Sequence, residues 1–161
     1  MYKVYQSMQV KKRNGDLEDV SFDKILKRIN SLATGEEFDH KLDIDTTKVA
    51  QKVIQEIFDG VETSELDILT SETAIAMYSI NPEYALLASR IVVSNHHKNT
   101  LNTFSEKVEK LFHHTKPLLN KGFYDLVQEH KELIDEKIDY SKDYLFDFFG
   151  LKTLEKSYLY K

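Results

Sequence analysis

Two prolines and five glycines are all that interrupts the 161 residues of this chain, and between them apolar residues recur at steps of three and four. That is the period of helices burying one face, so the chain is predicted to be mainly helical. From Phe22 the stripe Phe22, Ile25, Leu26, Ile29, Leu32 predicts a first helix ending near Gly35, with Glu36 to Asp43 as loop. A second is predicted from about Ile44, with Val49, Val53, Ile54 and Ile57 on one face and Gly60 as its stop. A third begins at Thr63 or Ser64, where Ser64-Glu65-Leu66-Asp67 reads as a capping box with Asp in place of Glu. Its inward face is read as Leu66, Leu69, Thr73, Ala76 and Met77. Asn81-Pro82 supplies an N-cap and a first-turn proline for a fourth helix, Glu83 to about Lys98. Tyr84, Leu87 and Ile91 face inward there, and Ala85, Ala88 and Ser89 permit close packing.

One segment departs from the helical pattern. In residues 8–20, Asn14-Gly15 lies between two short stretches and predicts a two-residue type I′ β-hairpin, with Lys12 and Arg13 on its first strand. Beyond His97-Lys98 the pattern weakens into shorter helical pieces, with stripes Phe104, Val108, Leu111, Phe112 and Leu126, Leu133, Ile134, Ile138, punctuated by Pro117 and Gly122. The stretch from Tyr140 on is dense in aromatics: Tyr140, Tyr144, Phe146, Phe148, Phe149, Tyr158 and Tyr160. So much apolar surface needs a partner; the expectation is a larger domain following, with a tail folded back on the helices as the alternative.

Composition excludes several classes of function. There is no cysteine, which removes disulfide scaffolds, thiolate-held zinc, iron–sulfur clusters and thiol catalysis. No apolar run approaches the ~18 residues of a membrane span and no charged-then-apolar leader opens the chain, so it is read as soluble, cytoplasmic and not secreted. With 22 basic and 27 acidic residues, net −5, there is no broad footprint for nucleic acid. Basic residues nonetheless cluster at Lys11, Lys12, Arg13 and at Lys24, Lys27, Arg28. Local positive charge in an acidic protein suits a small polyanion better than a long one.

The sharpest constellation joins Lys12-Arg13 to Glu18-Asp19-Val20-Ser21-Phe22-Asp23-Lys24, which runs into the first helix. Free N–H groups at a helix start, with Lys and Arg beside them, favour phosphate. Glu18, Asp19 and Asp23 oppose a bare polyanion and suit ribose hydroxyls, a base amine or magnesium. The plainer interpretation is a solvated hairpin with a charged first turn. Thr63 and Asp67, four residues apart, share a helix face that suits a ribose or base edge, or simply caps the helix. Lys98 is either a phosphate contact or a cation complementing a helix C-terminus. His96-His97 and His113-His114 are adjacent pairs that point to different sides of a helix and cannot chelate one ion together, so no metal site is assigned. No Ser-His-Asp order, Walker loop or GxGxxG run is present, and no catalytic residue is assigned.

Taken together, V-K-K-R-N-G, E-D-V-S-F-D-K-I, V-E-T-S-E-L-D, N-P-E-Y-A-L-L-A-S-R and S-N-H-H-K, spanning about residues 8–98, resemble the ATP-cone of class I ribonucleotide reductase large subunits. The stretch F-F-G-L-K-T-L-E-K-S-Y-L, residues 148–159, resembles the entry of those subunits into their catalytic barrel. It separates this chain from cone-bearing anaerobic reductases and from a repressor whose cone follows a zinc ribbon. Residues 1–7, M-Y-K-V-Y-Q-S, precede the usual start.

The resemblance implies a four-helix bundle capped by a short antiparallel hairpin over residues 8–100, with residues 101–161 as helical linker and start of the barrel domain. It also implies an allosteric activity site for ATP or dATP, carrying Mg²⁺ on the phosphates. By analogy the pocket is lined by Lys12, Arg13, Glu18, Asp19, Val20, Ser21, Phe22, Asp23, Lys24, Thr63, Asp67 and Lys98. Lys12, Arg13 and Lys98 lie nearest the phosphates, Asp23, Thr63 and Asp67 toward base or sugar, and the backbone of Val20 to Phe22 reads the base edge, with Phe22 shared with the core. In such enzymes ATP sustains and dATP stops deoxyribonucleotide synthesis by changing subunit association, which requires differential affinity for two assembly states. The single 2′-hydroxyl that separates the two is typically worth about 0.5–1.5 kcal/mol as one hydrogen bond. Implied partners are further large subunits and a small radical-generating subunit. The family's radical cysteines are absent here, so catalysis belongs to the full-length enzyme. The alternative function is a cone that has lost nucleotide binding and only mediates subunit assembly.

Overall fold

The hairpin begins with β1 (Gln9–Lys11) paired antiparallel to β2 (Leu17–Asp19), Val10 opposite Glu18. Its turn differs from the predicted two-residue type I′. Gly15 N–H bonds the Lys12 carbonyl at 2.9 Å, Lys12 N–H bonds the Asp16 carbonyl at 2.8 Å, and Gly15 has φ +91° while Asn14 does not have positive φ. This is a three-residue loop, a β-turn over Lys12–Gly15 with glycine in the left-handed position after it. Asn14 is locked instead through its side chain, which accepts from Asp16 N–H at 3.1 Å. Lys12 and Arg13 therefore lie in the turn, just past the strand.

A computed structural model describes residues 8–114 and 118–158; residues 1–7, Pro117 and Tyr160 lie outside them. They form two compact units, residues 8–95 with 146–158, and residues 96–145.

The first unit is a four-helix bundle carrying a small sheet. A strand that the sequence did not announce, β3 (Val61–Glu62), pairs parallel to β1 with Val10 opposite Val61, giving the order β2-β1-β3. Two residues are too few for an alternating pattern to be read. α1 (Phe22–Thr34) is capped by Ser21, whose side chain accepts from Lys24 N–H, and buries Ile25, Ile29, Leu32 and Ala33. α2 (Thr46–Glu56) starts two residues later than predicted because Asp45 is its N-cap, accepting from Lys48 N–H at 3.1 Å. Gly60 is not its stop: with φ +82° it makes the turn into β3 and donates to the Gln9 carbonyl at 2.7 Å.

α3 (Thr63–Ala76) is capped at Glu62 and not at Ser64; the Glu65 carboxylate accepts from Glu62 N–H at 3.3 Å. Thr73 and Met77 are buried as predicted, but Asp67, Thr70, Ser71 and Ala74 complete the buried face, while Leu66 and Leu69 are half-buried and Ala76 is exposed. Thr70, Ser71 and Thr73 return their hydroxyls to the carbonyls of Leu66, Ile68 and Leu69 at 2.6–2.8 Å. Satisfied within their own helix, they pack as small residues, and a hydrophobicity count misses Thr70 and Ser71. α4 (Glu83–Asn99) starts as predicted, with Asn81 accepting from Glu83 N–H, and buries Tyr84, Leu87, Ala88 and Ile91. The loop after α1 is anchored by buried Phe38 and Leu42, and Leu42 N–H bonds the Ala33 carbonyl at 2.9 Å. In residues 146–158, α8 (Phe148–Ser157) is capped by Asp147; Phe148 is buried, while Phe146, Phe149 and Tyr158 remain exposed.

In the second unit, α5 (Phe104–Phe112), α6 (Lys121–Glu129) and α7 (Lys131–Lys137) pack around Val108 and Val127, followed by a 3-10 segment at Tyr140–Leu145. Leu111, Leu126 and Leu133 of the predicted stripes are exposed. The unit is held instead by Phe112 stacked on Tyr124, ring centroids 4.1 Å apart, and by Asp135, which accepts from the backbone and hydroxyl of Ser105. Gly122 does not break this region: it lies in the first turn of α6, its N–H bonded to Asn120 Oδ1 at 2.7 Å.

Candidate functional site

Residues distant in sequence meet where the hairpin turn overhangs the start of α3. A cleft of about 310 Å³ is lined by Lys11, Lys12, Arg13, Asn14 and Gly15 from the hairpin and by Glu62, Thr63 and Ser64 from the α3 N-terminus. Three cationic side chains face one carboxylate among these residues. The first N–H groups of a helix have no intrahelical partner, and the helix dipole adds positive potential there. An anion entering the cleft therefore meets cationic side chains on one wall and a helix start on the other.

Beneath the cleft lies a charged network. Asp67, 7% exposed, accepts from Arg28 through Nε (3.4 Å, Oδ1) and Nη2 (3.4 Å, Oδ2), and from Arg13 Nη2 at 3.3 Å. Arg28 also donates to Ser94 Oγ at 2.9 Å. Arg13 reaches Thr63 Oγ1 at 3.4 Å and donates to Asn95 Oδ1, and Asn95 donates onward to the Ser64 carbonyl at 3.2 Å. The turn, α1, α3 and α4 are thus tied at one point by charge-assisted hydrogen bonds. A second network lies beside it: Glu18 on β2 accepts from both Lys12 and Lys24.

Of the residues expected to line the pocket, Lys12, Arg13 and Thr63 share this cleft, and Asp67 joins them through Arg13. Glu18 and Lys24 connect through Lys12. Ser21 serves as the α1 N-cap, Val20 donates its N–H to the Met8 carbonyl at 2.9 Å, and Asp19 accepts from Gln9 Nε2 at 3.2 Å. Phe22 is half-buried and Asp23 is exposed in the first turn of α1. Lys98 lies in the last turn of α4, within the second unit. Arg28, Ser94 and Asn95 are not among the residues expected to line the pocket, although Arg28 belongs to the basic cluster noted in the sequence. For Arg28 a signal existed: it stands three residues after Ile25 and four before Leu32, a cation on the inward stripe of α1.

His97 holds Asp143 at 2.7 Å and lies edge-on to Tyr140 and Tyr144, and His96 is exposed. Among the described residues no three His, Cys, Asp or Glu side chains gather as a metal site, and no helix is long and apolar enough to cross a membrane.

The chain is similar to ribonucleoside-diphosphate reductase large subunits of several organisms. It is 45% identical over 164 residues to that of Dictyostelium discoideum, covering 96% of this chain and 18% of the relative. To the large chain of Schizosaccharomyces pombe it is 43% identical over 159 residues, 94% of this chain and 19% of the relative. To the Arabidopsis thaliana large subunit it is 44% identical over 161 residues, 96% and 19%. The chain thus spans about a fifth of the length of these relatives. The ATP cone domain family matches residues 8–99, which are the hairpin, the third strand and α1 to α4, and to that family this chain belongs.

Proposed function

We propose that this cone binds ATP and dATP as an allosteric effector site, and that in a longer protein of the kind its relatives are it sets the activity of ribonucleoside-diphosphate reduction. The observation that carries the reading is the cleft in which Lys12 and Arg13, from the hairpin turn, meet the N-terminus of α3 at Thr63. Phosphate suits that setting through side-chain charge and through the positive end of a helix together.

In this proposal Lys12, Arg13 and Lys98 take the phosphates. Asp23, Thr63 and Asp67 face base or sugar, and the run Glu18 to Lys24 closes the site. Mg²⁺ rides on the triphosphate, in keeping with a cleft lined by a single carboxylate, Glu62. Residues 8–100 form the regulatory cone and residues 101–161 lead toward a catalytic barrel. The effector acts by biasing association among large subunits and with a small radical-generating subunit, since a ligand shifts an equilibrium only through unequal affinity for its states.

A second reading, a cone that has lost nucleotide binding and only mediates assembly, draws on a specific observation. Lys12 and Lys24 already share Glu18, and Arg13 already holds Asp67, so protein carboxylates occupy the cations a phosphate needs. Calorimetric titration with dATP and ATP in magnesium buffer, with light scattering on the same samples, separates the two. Saturable binding, tighter for dATP, accompanied by a size change and abolished in Lys12→Ala/Lys98→Ala, supports the effector site. No heat and no thermal stabilisation of a folded sample at millimolar nucleotide leaves the assembly reading.

A further inference from the structure

The two arginines on Asp67 are not equivalent, and their difference suggests how the site exchanges a protein counter-ion for a phosphate. Arg28 leaves the middle of α1, spans both oxygens of the carboxylate with Nε and Nη2, and is fastened on its far side to Ser94 of α4. Arg13 leaves the hairpin turn, lines the cleft, and reaches Oδ2 through Nη2 while also contacting the neutral groups of Thr63 and Asn95. Arg28 is not among the residues that line the cleft. Asp67 itself is buried, with its side chain 10% exposed.

We infer that Arg28 is a positioning residue for nucleotide binding: it keeps the Asp67 carboxylate neutralised and fixed, so that Arg13 can leave Asp67 for a nucleotide phosphate. This rests on the effector-site reading above and adds a residue that does not touch the ligand. The physical ground is the asymmetry of buried charge. Removing one partner from a buried pair leaves an uncompensated ion, which is far costlier than the net worth of the pair. With Arg28 present, a phosphate takes Arg13 and Asp67 retains a guanidinium on both oxygens. Without Arg28, Arg13 becomes the cation Asp67 depends on, and a phosphate must compete with a buried carboxylate for it. A lysine in place of Arg28 supplies charge but not the two-nitrogen fork, so it restores the function only in part.

The test is a double-mutant cycle on the whole chain, read by calorimetric titration with dATP in magnesium buffer, with thermal unfolding confirming that each variant is folded. Arg28→Gln is expected to weaken dATP binding about tenfold, the loss associated with one charge-assisted hydrogen bond. In an Asp67→Asn background the same Arg28→Gln change is expected to have nearly no effect, because a neutral amide makes no claim on Arg13. Should Arg28→Gln fail to fold, Arg28→Lys carries the cycle, with a smaller loss that again vanishes when Asp67 is Asn. Wild-type affinity in the Arg28 variants, or an equal loss in both backgrounds, overturns the inference while leaving the effector site intact. Absence of dATP binding by the wild-type chain removes the effector site, and this inference with it.

Discussion

The guanidinium of Arg90 lies 4.0 Å from the centroid of the Phe38 ring and donates to the carbonyls of Leu32, Ala33 and His40 at 2.7–3.1 Å. A cation from α4 thereby terminates α1 and pins the loop after it. Carbonyls at a helix end have no intrahelical donor, so this buried side chain, 8% exposed, together with the Leu42 N–H, satisfies the end of α1. Arg90→Met keeps the stem and removes the donors, and is expected to destabilise the first unit by about 3 kcal/mol. Phe38→Leu removes the ring face and is expected to cost about 1 kcal/mol. Urea unfolding of the two variants checks the order; equal effects would place the stabilisation in packing and not in the carbonyl bonds.

Gly15 carries the turn on which Lys12 and Arg13 stand. Its φ of +91° is a region L side chains rarely adopt, and a Cβ there meets nothing within 4 Å, so the penalty of Gly15→Ala is conformational and not steric. About 1 kcal/mol is expected. A displaced turn also moves Arg13, so dATP affinity should fall together with the melting temperature. Loss of stability with unchanged affinity would show that the turn relaxes without disturbing the cleft.

Acid should act through Glu83. The N–H of Asp43, and after it the ring of His40, bond its carboxylate at 2.5 and 2.7 Å and hold its pKa below the ordinary 4.5. A carboxyl with a depressed folded-state pKa contributes stability that is present above its unfolded value and lost as pH falls through the folded one. Wild-type stability should therefore decline below pH 4.5. Glu83→Gln should be less stable at neutral pH and show a shallower decline in that window, with the parts due to Asp45, Asp135 and Asp139 remaining, since bonds from the Lys48 N–H, the Ser105 hydroxyl and the Ser141 hydroxyl lower their pKa in the same way. Urea midpoints across this range decide it: parallel curves for the two proteins would assign the acid sensitivity elsewhere.

The second unit should depend on one aromatic stack. Phe112 and Tyr124 lie with planes 8° apart and join α5 to α6. Such pairs contribute about 0.5–1.5 kcal/mol beyond buried area. Phe112→Leu is expected to accelerate amide exchange in α5 and α6 while leaving α1 to α3 protected, as expected of two separately cooperative units. Uniform acceleration throughout the chain would mean that the units open together.

The elements that were legible in the sequence are those whose causes are local. The stripe Ile25, Ile29, Leu32 and the pair Asn81-Pro82 place α1 and the start of α4, because a helix face and a cap are decided within one or two turns. On α3 the inward placing of Thr73 and Met77 holds, while Thr70 and Ser71 count as polar until their hydroxyls are seen bonded to their own helix. The Asn14-Gly15 signal located a hairpin but not its loop, since the same dipeptide serves a two-residue turn or the end of a three-residue one, and strand pairing selects between them.

By itself the sequence determined a helical bundle, a hairpin near its start with cations on its first arm, and a resemblance carried by ordered short motifs; that Lys12 and Arg13 stand in the turn was the structure's correction. Only the tertiary structure decided what those cations face. Arg13 meets Asp67 across 54 positions and Asn95 across 82, and Arg28 meets Asp67 across 39. No local pattern encodes such pairs. Burial of one carboxylate, which must then be matched by whatever donors the packed helices bring to it, selects them.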